Sequence, residues 1–176
     1  IGQLADTEAN VKWVAQQNLH WTLKFLGEVD SNLVPRICQG MAEGVAGIAP
    51  FEVQTAGVGA FPSASRPRTV WLGTGGGTEP FIGLHDALEG PLSKLGFRKE
   101  HRRFQPHMTL GRVRRSPRGI DQLAQKIAKF SSFDAGSQQV EEIILFSSLL
   151  DRQGPAYEVL GRAPLGGRVA NGASGD

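Results

Sequence analysis

The sequence contains the pattern His-x-Thr-Leu twice, beginning at His20 and again at His107. Each copy lies in an apolar stretch of β-favouring residues, which predicts a strand. Because successive side chains of a strand point to opposite faces, His20 shares one face with Thr22, and His107 shares one with Thr109. An imidazole transfers protons near neutral pH, and a hydroxyl donates a hydrogen bond to an anionic oxygen. Two such motifs together can move two protons and stabilise an oxyanion between them.

The other face of each predicted strand carries apolar side chains, which predicts that it packs into a core. These residues are Trp21, Leu23 and Phe25 in the first copy and Met108 and Leu110 in the second. A single His-x-Thr on a strand is most often a half-buried pair without chemistry. The repetition in equally apolar surroundings favours a functional interpretation.

The composition is typical of a soluble globular protein: 40% of the 176 residues are hydrophobic and 20% are charged. No apolar run approaches the ~20 residues that span a bilayer. The single cysteine, Cys38, excludes an internal disulfide and fits a reducing compartment. We therefore expect a cytoplasmic, monomeric protein without a membrane segment.

Basic residues concentrate in one segment, residues 98–118, although the net charge is only +2. Glu100 is the one acid among them. The basic members are Arg98, Lys99, Arg102, Arg103, Arg112, Arg114, Arg115 and Arg118. The segment could be an ordinary solvated face, but because it flanks the second motif, we favour a surface that attracts a polyanion.

Periodicity predicts an α+β class with largely antiparallel sheets and helices on their outer faces. The two halves resemble each other in element order, with one His-x-Thr motif in each. Helices are expected over 33–47, 81–95 (bent or broken at Pro91) and 120–130. Strands are expected over 19–26, 51–55, 70–72, 107–113, 140–149 (a central strand) and 157–160. The glycine-rich turn 74–78 lacks the Gly-Lys-Ser/Thr ending of a phosphate loop and is interpreted as a connection.

Zinc binding is the rival use of His20 and His107. The sequence has no His-Glu-x-x-His and no cysteine pair, and neither motif strand contains an acidic residue. We therefore predict no metal site. His85 lies on a helical stripe and is expected to be a packing residue, Cys38 is expected in a core, and His101 is expected at the surface.

With both motifs placed, the chain resembles the two-histidine phosphoesterases. Within them it is most similar to the bacterial and archaeal RNA 2′,3′-cyclic phosphodiesterases, also called 2′-5′ RNA ligases. The resemblance rests on residues 13–14, 18–29, 61–63, 66–68, 71–73, 96–97, 103–113 and 157–160. It covers nearly the whole chain up to Pro164.

The resemblance implies a bilobal α+β fold with pseudo-two-fold halves. Its two mostly antiparallel sheets face a central cleft, and a His-x-Thr from each lobe faces into that cleft. We expect one such domain over residues 1–162 and a disordered tail over 163–176. The family begins with a strand ahead of its first helix that nothing here matches, so we expect an upstream segment to be absent.

The resemblance also implies hydrolysis of a terminal RNA 2′,3′-cyclic phosphate to a 2′-phosphomonoester, with no metal or other cofactor. His20 and His107 would be catalytic, and Thr22, Thr109 and Arg112 would bind the phosphate. Three alternatives stay open: a physiological 2′-5′ RNA ligase, a phosphodiesterase for small cyclic nucleotides, and a non-catalytic protein that binds RNA ends.

Two basic residues near the motifs are ambiguous. Strict alternation puts Arg112 on the face of Met108 and Leu110, away from His107. Either a bulge or the end of the strand turns Arg112 toward the face of His107, or Arg112 has a structural role only. Lys24 lies on the same face as His20 by alternation, but a lysine at the end of a strand is usually solvated.

Overall fold

A computed structural model describes residues 1–100, 102–114, 118–151 and 154–167. The chain divides into two compact units. The first unit contains Ile1–Leu23, Val53–Thr78 and Gln105–Gln138, and the second unit contains the intervening residues and those that follow. Each unit is described by itself. No helix in the described ranges is both long enough and apolar enough to cross a membrane.

The elements follow one another as α1 (Gly2–Ala5), β1 (Val11–Trp13), α2 (Val34–Val45), β2 (Phe51–Phe61), β3 (Thr69–Thr74), α3 (Thr78–Lys94), β4 (Met108–Val113), α4 (Ile120–Lys129), β5 (Asp134–Val140), β6 (Glu142–Asp151) and β7 (Gly154–Pro164). Short 3₁₀ helices cover Gln16–Asn18 and Ser31–Leu33. The predicted α+β class with antiparallel sheets is confirmed.

The first unit is built on a five-stranded sheet in the order β1-β4-β3-β2-β5. The pairs β1–β4, β4–β3 and β3–β2 are antiparallel. Apolar residues on one sheet face pack against α1 and α4. The buried members of this core are Leu4, Val58, Val70, Leu110, Leu123 and Ile127. Because the core lies on one face only, the other face of the sheet is available for polar groups.

The first motif segment differs from its predicted strand. In the described part of the chain, Trp21 is the one residue of this segment with a sheet partner, Met108, and the contact is an isolated antiparallel bridge. Phe25, expected in the core, is 76% exposed, so that prediction is wrong. Alternating apolar residues predict a buried face only where the segment forms a regular strand that is paired in a sheet and has another element packed against that face.

Helices α2 and α3 of the second unit pack closely on each other. A methyl group at Gly44 of α2 would approach the Ala87 carbonyl oxygen of α3 to 3.0 Å. That carbonyl lies four residues before Pro91, which has no N–H to donate to it. Pro91 nevertheless lies inside α3, which continues to Lys94, so of the bend or break expected there the break does not occur.

Strands β6 and β7 form a two-stranded antiparallel sheet of their own, so the prediction of a central strand over 140–149 is wrong. Strand β7 continues to Pro164, so the prediction of a disordered tail from residue 163 is wrong at its first residues. Ala163 is 1% exposed and Leu165 is 7% exposed, and the Leu165 N–H donates to the Glu141 carbonyl. Residues 168–176 lie outside the described ranges. Sequence reasoning also missed β5, whose mostly exposed polar residues carry no apolar alternation.

An ion pair inside the second unit connects three stretches of chain. Lys24, 6% exposed, pairs with Glu89 of α3, which is 14% exposed. The Lys24 ammonium also donates to the Arg98 carbonyl at 3.0 Å, and the Glu100 N–H donates to Glu89 at 2.9 Å. Lys24 is therefore a buried structural residue and not the solvated lysine that its position predicts.

The Glu89 carboxyl is held in its charged form. Burial raises its pKa, but the hydrogen bonds from Lys24 and from the Glu100 backbone outweigh burial, and the pKa of Glu89 lies below its ordinary value. A carboxyl whose folded-state pKa is depressed stabilises the protein above its unfolded-state pKa. That contribution is lost as the pH falls through the folded-state value.

We expect Glu89→Gln to lower the free energy of unfolding at pH 7, because Lys24 would stay buried without its counter-charge. The expected loss is about 2 kcal/mol, below the roughly 3–5 kcal/mol of fully buried pairs because Glu89 keeps some exposure. Urea unfolding of the variant and of Glu43→Gln, an exposed glutamate of α2, would measure the difference. The gap between Glu89→Gln and wild type should shrink as the pH falls through the folded-state pKa of Glu89, which lies below its ordinary value. Equal stabilities of the two variants at pH 7 would contradict the assignment.

Candidate active site

The two His-x-Thr motifs meet on one antiparallel stretch of backbone in the first unit. Trp21 lies opposite Met108 in an antiparallel bridge. Continuing that register by one residue in each direction places Thr22 opposite His107 and His20 opposite Thr109. In this register each histidine lies across from the other motif's threonine, while the paired residues themselves are Trp21 and Met108 alone. Both motifs belong to the first unit, where the first pairs directly with β4, whereas the resemblance implies one motif from each lobe.

Both histidines are oriented by the same local hydrogen bond. The Nδ1 atom of His20 lies 2.7 Å from the Asn18 carbonyl oxygen, and Nδ1 of His107 lies 2.8 Å from the Gln105 carbonyl oxygen. A carbonyl oxygen only accepts, so Nδ1 carries the proton in each ring. With Nδ1 protonated, Nε2 is the atom that accepts a proton when the ring is neutral and donates one when the ring is charged.

An aromatic wall stands beside His107. The Phe61 ring meets the imidazole edge to face at 4.9 Å between centroids, and the Trp71 ring lies 6.4 Å from the imidazole. Phe61 and Trp71 are themselves 5.1 Å apart. These contacts restrict the rotation of the imidazole and exclude water from one side of it.

Trp71 lies flat over its cross-strand partner, Gly59. A methyl group at position 59 would fall 2.3 Å from two carbons of the indole ring. Only glycine allows this approach. Sequence reasoning gave Gly59, Phe61 and Trp71 no role at the site, although a glycine inside a strand signals a close contact of this kind.

A β-bulge settles the orientation of Arg112. On β3, Val70 pairs with Gly111 but the next residue, Trp71, pairs with Thr109, which leaves Leu110 as an extra residue in β4. Thr69 pairs with Arg112. Since Thr69 and Trp71 share a face of β3, their partners Arg112 and Thr109 share a face of β4. Strict alternation, which separates Arg112 from the motif, fails at the bulge.

Other candidates from the sequence fall elsewhere. His85 is 3% exposed and stacks on Phe104 at 4.3 Å, which confirms its packing role in the second unit. Arg118 is paired with Glu8, and Arg103 lies 4.0 Å from Glu79. His101 and Arg115 lie outside the described residues. Cys38 is half-buried.

The fold and the two opposed His-x-Thr motifs are those of the two-histidine phosphoesterases. The chain belongs to the 2′-5′ RNA ligase superfamily, whose family profile matches residues 1–152.

Relatives and solved structures agree with this family. An RNA 2′,3′-cyclic phosphodiesterase of Methanothermobacter thermautotrophicus is 40% identical over 154 residues, covering 88% of this chain and 82% of the relative. One of Aeropyrum pernix is 36% identical over 157 residues, covering 89% and 88%. A crystal structure from Thermus thermophilus is 27% identical with a TM-score of 0.75, covering 96% and 90%. E. coli LigT complexed with 3′-AMP is 29% identical with a TM-score of 0.66, covering 90% and 82%.

We expect Gly59→Ala to displace the Trp71 indole and, through Phe61, to disturb His107. Overpacking of this kind costs roughly 1–3 kcal/mol of unfolding free energy. Thermal and urea unfolding would measure the loss. Gly2→Ala is the control, since nothing lies within 4 Å of a methyl group there. Indistinguishable stabilities of the two variants would show that Trp71 moves aside without cost.

Proposed function

We propose that this protein hydrolyses the terminal 2′,3′-cyclic phosphate of RNA to a 2′-phosphomonoester. The reciprocal placement of His20 and His107, each opposite the other motif's threonine, carries the proposal. The names of the relatives supply the substrate class, because each relative reported above is an RNA 2′,3′-cyclic phosphodiesterase. The ligand in the LigT crystal, 3′-AMP, is a nucleotide that carries a 3′-phosphate.

The two histidines would share two proton transfers: one ring removes a proton from the attacking water, and the other gives a proton to the leaving oxygen. A neutral imidazole takes a proton from water through Nε2 as the water oxygen forms a bond to phosphorus. The protonated imidazole donates its Nε2 proton to the 3′ oxygen as the P–O3′ bond breaks. The two rings thus exchange protonation states in each turnover and are reset through solvent. The carbonyls of Asn18 and Gln105 hold Nδ1–H in both charge states.

The remaining site residues would bind the charged phosphate. The hydroxyls of Thr22 and Thr109 donate to its non-bridging oxygens, where negative charge is concentrated in the transition state. Arg112, re-aimed by the bulge, adds a positive charge on the same sheet face as Thr109. The protons and charges of the reaction are then balanced by side chains of a single chain, with no metal or nucleotide cofactor and no second subunit.

Joining of RNA ends is the second candidate function, favoured by the name of the superfamily. An RNA 5′-hydroxyl in place of the attacking water would be deprotonated by the same imidazole. It would displace the 3′ oxygen and leave a 2′-5′ linkage. Hydrolysis and joining therefore differ in the nucleophile and not in the residues that act on it.

The function is tested with an oligoribonucleotide that ends in a 2′,3′-cyclic phosphate, incubated in excess chelator. We expect turnover to a 2′-phosphate, because the 3′ oxygen is the leaving group. The product should resist a phosphatase specific for 3′-phosphates. A mainly 3′-phosphorylated product would contradict the assignment, and a loss of turnover restored by one divalent ion would contradict the cofactor-free mechanism.

We expect His20→Ala and His107→Ala each to lower kcat by about 10²–10⁴, the usual contribution of a general acid or base. The double variant should be little slower than either single one, because each half of the pair accomplishes little alone. The wild-type rate should be bell-shaped in pH, with limbs that belong to the coupled pair.

Thermal unfolding would verify that each histidine variant is folded. A folded single variant with near-wild-type turnover would show that its histidine has no part in the chemistry. The rates of the variants and of wild type are compared in single turnovers. Product inhibition then does not contribute, and the comparison reports the chemical step.

A further inference from the structure

We propose that Lys12, beside Arg112, binds the phosphodiester that precedes the terminal nucleotide of the RNA. This inference rests on the proposed function and extends it from the reacting phosphate to the strand that carries it. Nothing in the sequence motifs or in the reported names assigns a role to Lys12.

The strand register places Lys12 on the site face of the sheet. Lys12 of β1 pairs with Arg112 of β4, and Arg112 pairs on its other side with Thr69 of β3. The neighbours of Lys12, Val11 and Trp13, pack against the core. Paired residues of an antiparallel sheet point to the same side, so Lys12, Arg112 and Thr109 emerge on one face.

The charges of Lys12 and Arg112 favour a bound anion. Two like charges directly opposite each other on a sheet are destabilising. Both Lys12 and Arg112 are exposed, and among the ion pairs of the described ranges none involves either residue. Two other cations of the first unit have acidic partners: Arg118 pairs with Glu8, and Lys126 with Asp6. What distinguishes Lys12 and Arg112 from the remaining cations is that they lie directly opposite each other on neighbouring strands. The uncompensated pair is explained if a bound anion supplies the missing charge.

The spacing fits consecutive phosphates of a strand. Arg112 lies beyond Thr109 by the distance between their partners on β3, Thr69 and Trp71, which is about 6–7 Å at two residues of roughly 3.3 Å each. Lys12 lies one strand further out, a cross-strand step of about 5 Å. A terminal phosphate at the two motifs therefore leaves Arg112 beside it and Lys12 within reach of the next phosphate. The opposite side of His107 is closed by Phe61 and Trp71, so the RNA backbone leaves toward β1.

Lys12→Gln tests the subsite, with Lys129→Gln as the matched control. Lys129 is an exposed lysine of α4, the helix that packs on the opposite face of the same sheet, and its loss changes the net charge equally. Two substrates are compared: a nucleoside 2′,3′-cyclic phosphate, which has no preceding phosphodiester, and an oligoribonucleotide with the same end.

We expect Lys12→Gln to raise KM for the oligonucleotide about two- to fivefold, the scale of one exposed ion pair, with kcat unchanged. KM for the mononucleotide should stay at the wild-type value, and Lys129→Gln should change neither. Lys12→Arg should restore oligonucleotide binding. Equal effects of Lys12→Gln and Lys129→Gln, or an equal rise of KM on both substrates, would overturn the proposal.

A binding measurement separates this inference from the proposed activity. Fluorescence anisotropy with an oligoribonucleotide that ends in a 2′-phosphate needs no turnover. The slope of log affinity against log salt should decrease in magnitude by about 0.7 in Lys12→Gln, the loss of one phosphate contact on a single strand. An unchanged slope would overturn the Lys12 subsite. Absence of wild-type turnover on both substrates would overturn the proposed function, while the slope still decides the role of Lys12.

Discussion

The antiparallel contact between Trp21 and Met108 is the constraint on which the candidate site depends. It is a single bridge, but it aligns two motifs that are 87 residues apart in sequence. Side chains flanking an antiparallel pair emerge together, so one backbone contact brings both His-x-Thr units to the same place with a two-fold relation. The two imidazoles then have equivalent supports, each from the carbonyl two residues earlier. A push-pull proton transfer needs one group that accepts a proton and one that donates it, and the proposed mechanism gives these roles to the two imidazoles.

The bulge at Leu110 lets one short strand satisfy the core and the site at once. Leu110 is 3% exposed and belongs to the core, whereas Thr109 and Arg112 emerge on the other face. In a regular strand, residues three apart point to opposite faces. The extra residue shifts the alternation by one, so that the Arg112 guanidinium emerges on the same face as the Thr109 hydroxyl. Bulges beside active sites commonly re-aim a side chain in this way.

Packing around the motifs explains residues that have no chemistry of their own. In the first unit, Gly59 leaves space for Trp71, which with Phe61 limits the motion of His107. In the second unit, Glu89 holds Lys24, two residues after Thr22 in sequence, and the same helix stacks His85 on Phe104, three residues before His107. The chain leaving the first motif and the chain entering the second are thus both anchored to α3.

The sequence by itself determined the class, the elements with strong periodicity and the reactive residue types. Repetition identified His20 and His107, and helical spacing located α2 and α4 closely, because both signals depend on neighbouring residues alone. The orientation of Arg112, the burial of Lys24 and the exposure of Phe25 were decided by tertiary structure. Each depends on a distant segment of the chain. Arg112 is oriented by the pairing of β3 with the bulged strand, and Lys24 is buried because Glu89 supplies its counter-charge. Phe25 is exposed because the pairing of the first motif with β4 is limited to Trp21 and Met108. A local pattern carries no information about such partners, because strands and buried charges meet them only when the chain has folded.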